Sequence, residues 1–118
     1  MGLRDMKKRL TTTVEELDDR RLHERFHGLG LTELGHVVPR APARIGGEVV
    51  RMKIQPRSGV PAVVITVSDG TGTALAVFTG RLRLAGLEQS RAVVLEGVPF
   101  LEHGHLTLLN PAYTLLPY

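Results

Sequence analysis

The order of apolar and polar residues from Ile45 onwards predicts a series of short β-strands. The first run alternates the two classes in the order Val50, Arg51, Met52, Lys53, Ile54 and Gln55. A period of two is typical of a strand with one buried face, and we expect that face to carry the three apolar side chains.

The segment from Val63 to Thr79 predicts a β-hairpin. Two runs rich in Val, Ile, Thr and Ala flank the turn sequence SDGTG, which begins at Ser68. β-branched residues pack well on a pleated surface, and glycine adopts positive φ without a steric penalty. We expect the Asp69 carboxylate to accept hydrogen bonds from the amides that follow it and so to fix the bend.

Two further strands are predicted from Arg91 to Phe100 and from His105 to Leu109, joined by a turn at Glu102-His103-Gly104. The stretch before them, from Arg81 to Glu88, is either a short helical turn or a packed loop. Five strands without long helices between them favour an antiparallel sheet, and a small sheet hides its edges best by closing. The predicted fold is therefore all-β: a five-stranded antiparallel barrel of the OB-fold type.

The apolar positions before residue 28 follow a helical period instead. The apolar side chains that share one broad side are Val14, Leu17, Leu22 and Phe26. Thr12 or Thr13 lies three residues before a glutamate, the capping-box pattern that starts a helix. Gly28 is expected to end the helix, because glycine is the usual helix stop. The N-terminal segment therefore predicts an amphipathic α-helix.

These patterns divide the chain into two parts. Glycines and prolines between residues 28 and 47 indicate a linker without regular structure. We expect an N-terminal helix and linker over residues 1–40 and an OB-fold barrel over residues 41–118.

Composition excludes several function classes. The 118-residue chain has a formal net charge of +3 and no cysteine, so disulfides and thiolate metal sites are excluded. No apolar run approaches the ~20 residues needed to span a bilayer, and no membrane association is expected. Charged residues from Arg4 onwards stand where a signal peptide would have its apolar segment. The expected location is cytoplasmic.

The segments VSDGTGTALAVFTG and LNPAY, with a strand between them that ends near Val98, resemble the OB-fold nucleic-acid-binding domain of the tRNA-anticodon type. They especially resemble the wedge domain of RecG-type helicases. The segment KKRLTTTVEELDDRRL followed by such a barrel is also similar to small stand-alone OB-fold proteins of GC-rich Gram-positive bacteria. The resemblance implies structural roles for Asp69, Gly70 and Gly72.

That resemblance also implies a binding surface. Its members bind single-stranded or branched nucleic acid on the face of strands two and three. The residues implied here are Arg51, Lys53, Arg57, Arg81, Arg83, His103, His105 and Tyr113. Alternation matched to the family places Ala74, Ala76 and Phe78 inside, with Leu75, Val77 and Thr79 on the ligand face. Tyr113 is either a barrel-closing residue with its hydroxyl at the rim or a base-stacking residue.

These observations predict a non-catalytic protein that binds single-stranded or structured DNA or RNA and needs no cofactor. The alternative is a protein-interaction module. In that case the apolar surface of Leu75 and Val77 buries against a partner or against a second copy of the chain, as a homo-oligomer.

One motif points to a different chemistry. Residues His23 to His27 fit the H-E-x-x-H pattern, in which two histidines on one helical face bind zinc and the glutamate activates water. Gly30 and Glu33 lie at the spacing where some metzincin-like proteases place a glycine and a third ligand. Because Arg25 is charged and no strand precedes the helix to hold a substrate, an exposed charged helix end is the preferred interpretation. A zinc metallopeptidase is the remote alternative, and no metal is expected.

Overall fold

A mixed sheet of seven strands forms the body of the protein, and an α-helix precedes it. The computed structural model describes residues 3–117, with side chains described from residue 14 onwards. The elements are α1 (Leu3–Phe26), a 3₁₀ turn (Leu34–His36), β1 (Ala43–Ile54), β2 (Ala62–Ser68), β3 (Thr73–Thr79), β4 (Ala92–Gly97), β5 (Phe100–Glu102), β6 (His105–Leu109) and β7 (Ala112–Leu115). The strands are hydrogen-bonded in the order β5-β6-β3-β2-β1-β4-β7.

The prediction of five antiparallel strands is wrong in number and in direction. β6 runs parallel to β3, with Leu75 opposite Thr107. The predicted fourth strand is divided at Val98 and Pro99 into β4 and β5. Proline has no N–H to donate to a ladder, so pairing changes at this point: β4 pairs with β1 and β7, and β5 pairs with β6. β7, formed by the segment after Pro111, was not predicted as a strand.

The divided segment closes the sheet around one core. β4 lies next to β1, and only Val98 and Pro99 separate it from β5 at the far edge of the strand order. Inward side chains of β1, β2, β3, β4 and β6 share this core. As predicted, the β3 residues in it are Ala74, Ala76 and Phe78. Leu84 and Leu87, from the connection between β3 and β4, also pack there, so that connection is a packed loop.

The second half of β1 departs from its predicted burial. Met52 pairs with Ile65 and Ile54 with Val63, so both lie on the core-facing side of the sheet. Ile54 is nevertheless 61 % exposed, and Met52 is also exposed. The reason is that β4 pairs with β1 only as far as Glu48. Beyond that point the strand runs past β4, and its core-facing side chains are exposed.

The turn between β2 and β3 is built as predicted. The buried Asp69 carboxylate accepts hydrogen bonds from the backbone N–H groups of Thr71 at 2.9 Å and Gly72 at 3.2 Å. It also accepts one from the Thr71 hydroxyl at 2.6 Å. Its second oxygen accepts the Leu34 N–H at 2.8 Å, which fastens the linker to the turn. Asp69 therefore joins two parts of the chain that are far apart in sequence.

The helix is longer than the sequence pattern indicated. It ends at Phe26 as predicted, just before Gly28, whose φ is +80°. It begins at Leu3, so the predicted start at Thr12 or Thr13 is wrong. The Leu, Arg, Met and Lys residues that precede the threonines are good helix formers, and they carry the helix on towards the N-terminus.

Among the described side chains of α1, those near its C-terminal end pack against the sheet. Leu22 and Phe26 are buried against Ala92, whereas Val14 and Leu17 are exposed. The predicted apolar side of the helix is thus used only at its end. In the described part of the chain, no helix has the length and apolar character that a membrane crossing requires.

An ion-pair network holds this end of the helix in place. The guanidinium groups of Arg21 and Arg25 donate hydrogen bonds to the Glu48 carboxylate on β1. Burial alone would raise the pKa of Glu48, but these hydrogen bonds outweigh it and hold the pKa below its ordinary value of 4.5. Glu48 is therefore a charged anchor between the helix and the sheet.

Candidate nucleic-acid interface

A groove of about 960 Å³ crosses the outer face of β2 and β3. One wall is the second half of β1 with the loop that follows it, and the other wall is the β5–β6 hairpin. The floor carries Val64 and Thr66 from β2 and Leu75 and Val77 from β3. This is the surface that the sequence resemblance indicated as the ligand face.

Strand register explains the composition of the floor. Val64 pairs with Val77 and Thr66 pairs with Leu75, and residues paired in this way point to the same side of a sheet. Val64 and Val77 form a small apolar cluster, with Leu75 packed against it, that is separate from the main core. The predicted outward orientation of Leu75 and Val77 is therefore confirmed. Val77 is only 4 % exposed, however, so the floor is a packed surface with little free apolar area.

Thr79, the third residue predicted on this face, lies outside the groove lining. Its backbone N–H donates to the Asn110 side-chain carbonyl at 2.9 Å, and the Asn110 amide donates to its hydroxyl. It ties the end of β3 to the segment after β6.

A β-bulge in β1 aims two cations into the groove. The pairing of β1 with β2 shifts by one residue between Val49 and Arg51, so that Arg51 stands opposite Thr66 and Lys53 opposite Val64. With the register of Val49 continued, Arg51 would instead stand opposite Ile65 on the core side. Bulges commonly re-aim side chains in this way. Both cations are exposed, and neither has a side-chain partner among residues 14–117.

A half-buried ion pair connects the two walls. Arg57, in the loop after β1, donates two hydrogen bonds of 3.0 and 2.8 Å to the two carboxylate oxygens of Glu102 on β5. These hydrogen bonds raise the pKa of Arg57 and hold the pKa of Glu102 below its ordinary value. The pair neutralises one of the predicted binding cations and joins the two walls at this point.

The β5–β6 turn brings two imidazoles to the groove. His103 and Gly104 have φ of +51° and +79°, as both central residues of a type I′ hairpin turn require. His103 and His105 are exposed and line the groove. They supply aromatic rings to the groove, whose described lining residues include no Phe, Tyr or Trp.

The structure thus brings together five of the eight predicted site residues: Arg51, Lys53, Arg57, His103 and His105. Arg81 and Arg83 are exposed on the loop after β3, outside the groove lining. Tyr113 lies on β7 and packs edge-on against Phe78, with ring centroids 5.7 Å apart. Its hydroxyl donates to the Ala85 carbonyl at 3.2 Å, the contact expected of a barrel-closing residue.

Several groove residues were not identified from the sequence. Thr66 could have been found, because alternation along β2 puts it on the same face as Val64. Gln55 and Ser58 could not have been found, because they lie in the loop after β1, where the sequence has no alternating pattern. The bulge that orients Arg51 also left no signal in the alternating pattern.

Comparisons with known proteins support the fold. No family model matches the sequence, and no curated protein sequence matches it either. Among solved structures, the chain is similar to a replication protein A domain from Methanococcus maripaludis, with a TM-score of 0.60 and 15% identity over 72% of this chain and 93% of that one.

Two further structures show the same similarity. An OB domain from Methanosarcina mazei gives a TM-score of 0.55 and 17% identity over 70% of this chain and 79% of that one. A replication protein A heterotrimer bound to single-stranded DNA gives a TM-score of 0.52 and 13% identity over 76% of this chain and 75% of that one. At these identities the comparisons show the architecture alone: the chain has an OB-fold.

Proposed function

We propose that this protein binds single-stranded nucleic acid in the groove and catalyses no reaction. The observation that carries the proposal is the bulge in β1, which turns the exposed cations Arg51 and Lys53, without a partner among the described side chains, towards the groove. A cation that is exposed, unpaired and aimed into a concave surface is suited to a phosphate.

The groove offers each kind of contact that a nucleic-acid strand needs. Arg51 and Lys53 neutralise backbone phosphates, and release of condensed counterions makes such binding sensitive to salt. His103 and His105 stack on bases, a role that imidazole rings fill in single-strand recognition. Thr66 supplies a hydroxyl on the floor. With two such cations and no large aromatic ring among the described lining residues, we expect weak binding with little sequence preference.

The fold neighbours support this proposal, since the structure of one of them was determined with single-stranded DNA bound. The finer resemblance to tRNA-anticodon and RecG wedge domains stays a prediction, as do binding to branched nucleic acid and the cytoplasmic location. Arg81 and Arg83 are kept as secondary candidates, because a longer strand that leaves the groove past β3 would meet them.

The test is fluorescence anisotropy with a labelled oligo-dT of about 15 nucleotides, near the upper site size of one OB-fold. We expect saturable binding at low salt that weakens as salt rises. Arg51→Ala and Lys53→Ala should each weaken binding several-fold and lower the slope of log K against log salt by about 0.7, the value for one phosphate contact on a single strand. A labelled oligo-U of the same length then compares RNA with DNA.

Arg44→Ala is the matched control. Arg44 is on the same strand but before the bulge, where it pairs with Glu96 at 2.9 Å outside the groove. Its loss changes the net charge equally and should leave binding nearly unchanged. Equal effects of all three substitutions would contradict a localised site.

The same samples test the interaction-module alternative. Absence of binding at low salt, together with a concentration-dependent dimer in sedimentation, would favour a protein interface at the groove.

A further inference from the structure

Three metal-ligating side chains meet where α1 ends. His23 and His27 are one helical turn apart on the same side of the chain, with ring centroids separated by 5.5 Å. Glu33 reaches them from the linker, and its Oε1 lies 2.9 Å from His23 Nε2. One ligand atom from each of the three residues lies within 4.8 Å of the other two. Residues from two separate segments therefore converge on one point.

The spacing suits a small tetrahedral ion. In a zinc site with bonds of about 2.0–2.2 Å, ligand atoms stand about 3.3–3.5 Å apart. The distance between His23 Nε2 and Glu33 Oε1 is 2.9 Å, slightly shorter than this, and the three ligand atoms lie within 4.8 Å of one another. Binding therefore requires the three side chains to adjust their separations. A cavity of about 50 Å³ adjoins them, lined also by Leu31 and Asp69.

The surrounding structure holds the cluster in place. The second oxygen of Glu33 is 3.1 Å from His36 Nδ1, the kind of outer contact that orients a ligating carboxylate. The next residue, Leu34, is fastened through its N–H to Asp69. The carbonyl end of a helix also favours a cation.

We propose that His23, His27 and Glu33 bind one divalent transition-metal ion of the zinc class. Two imidazoles and one carboxylate select such an ion over Mg²⁺ or Ca²⁺, which prefer oxygen ligands. The ion joins the end of α1 to the linker and so strengthens the attachment of the helix to the sheet. Its role is structural: Glu24, the residue that would activate water in an H-E-x-x-H peptidase, is exposed and lies outside the cluster.

The experiment is titration calorimetry of the full chain with ZnCl₂ after treatment with chelator. We expect one ion per chain with a Kd below about 10 μM, roughly 7 kcal/mol of binding free energy. Zinc should also raise the Tm, whereas Mg²⁺ at the same concentration should not. Co²⁺ in place of zinc should give the strong visible absorption of a tetrahedral site.

His27→Ala and Glu33→Gln are the informative variants. His27 is exposed, so its replacement leaves the fold intact, which circular dichroism verifies. Each variant should weaken zinc binding at least tenfold and abolish the rise in Tm.

The double variant His103→Ala/His105→Ala is the matched control, because it removes another exposed pair of imidazoles at the groove. It should bind zinc as the parent protein does. Absence of saturable zinc binding, or equal binding by the parent and His27→Ala, would overturn the proposal.

Discussion

Two regions of this molecule differ in whether their charged side chains have partners within the protein. Where α1 meets the sheet, the Glu48 carboxylate accepts hydrogen bonds from Arg21 and Arg25. The Asp69 carboxylate accepts hydrogen bonds from both the turn and the linker. In the groove, Arg51 and Lys53 are exposed without a side-chain partner in the described chain. The Glu48 and Asp69 carboxylates are thus satisfied within the protein, whereas Arg51 and Lys53 are available to a ligand.

This difference distinguishes charged residues that stabilise the fold from charged residues that are available to bind a ligand. Buried polar groups must be paired, because an unpaired one loses its hydration without compensation. The paired charges at the helix end are thus explained by folding alone. Folding does not explain two cations turned outward by a bulge above a packed apolar floor. The groove is therefore where a ligand is expected, and the helix end is where stability is expected to be sensitive.

The largest expected effect is at the contact between the helix and the hairpin turn. Gly70 has φ of +86°, and a Cβ built there would clash with the carbonyl oxygen of Asp19 in α1. Gly70→Ala should destabilise the protein by roughly 1–3 kcal/mol through backbone strain. The clash should add a further 1–3 kcal/mol or so. Urea unfolding at equilibrium measures the loss.

Gly80→Ala separates these two contributions. Gly80 has φ of +73°, but nothing lies within 4 Å of the position that its Cβ would occupy. Gly80→Ala should therefore lose only the part of the free energy of unfolding that comes from backbone strain, without the part that comes from the clash. If both variants lose the same stability, the helix does not rest on the turn in solution.

A smaller effect is expected at the Glu48 anchor. Glu48→Gln should lower the free energy of unfolding at pH 7 by about 1–2 kcal/mol, towards the low end for hydrogen bonds to charged groups because Arg21 is half-exposed. Since folding lowers the pKa of Glu48, its contribution is complete above its ordinary value of 4.5 and is lost as the pH falls through the lower value in the folded state. The difference between the two proteins should therefore shrink in acid.

Glu96→Gln is the control for this pH series. Glu96 pairs with Arg44 on an exposed surface, where both side chains are more than half exposed. Such pairs contribute little, so this variant should follow the parent protein at every pH. A difference for Glu48→Gln that stays constant from pH 7 into acid would show that the carboxylate charge is not what anchors the helix.

The same contrast explains what could be predicted from the sequence. The hydrogen bonds of Asp69 within the turn and the inward orientation of the β3 side chains were predictable, because both depend only on residues that are close in sequence. The exposure of Met52 and Ile54 was not, since it depends on where β4 stops pairing with β1. The division of the predicted fourth strand depends on a break at Pro99, after which β5 pairs with β6 instead of β1. The strand β7 follows Pro111 and is defined by its pairing with β4, which is distant in sequence.

The candidate site was predictable to a similar extent. The resemblance indicated the face that carries the groove, and five residues named from it line that groove; their role in binding stays a prediction. The Arg57–Glu102 pair could not be foreseen, because its members are 45 residues apart and meet only through the closure of the sheet. The cluster of His23, His27 and Glu33 was visible as a spacing, but whether Glu33 would turn back to the helix depended on the attachment of the linker to Asp69.

The smallest expected effect lies within the groove. Glu102→Gln removes the charge that neutralises Arg57 and so converts a satisfied cation into a free one. The variant should bind oligo-dT a few-fold more tightly, with a salt slope steeper by about 0.7 as one further phosphate is engaged. Glu96→Gln makes the same change in net charge outside the groove and should leave both quantities nearly unchanged. Because Arg51 and Lys53 already bind phosphates in the parent protein under this proposal, the gain in affinity from Arg57 should be small. If Glu102→Gln binds no better than Glu96→Gln, Arg57 serves only to join the two walls, and the phosphate contacts belong to the cations that the bulge exposes.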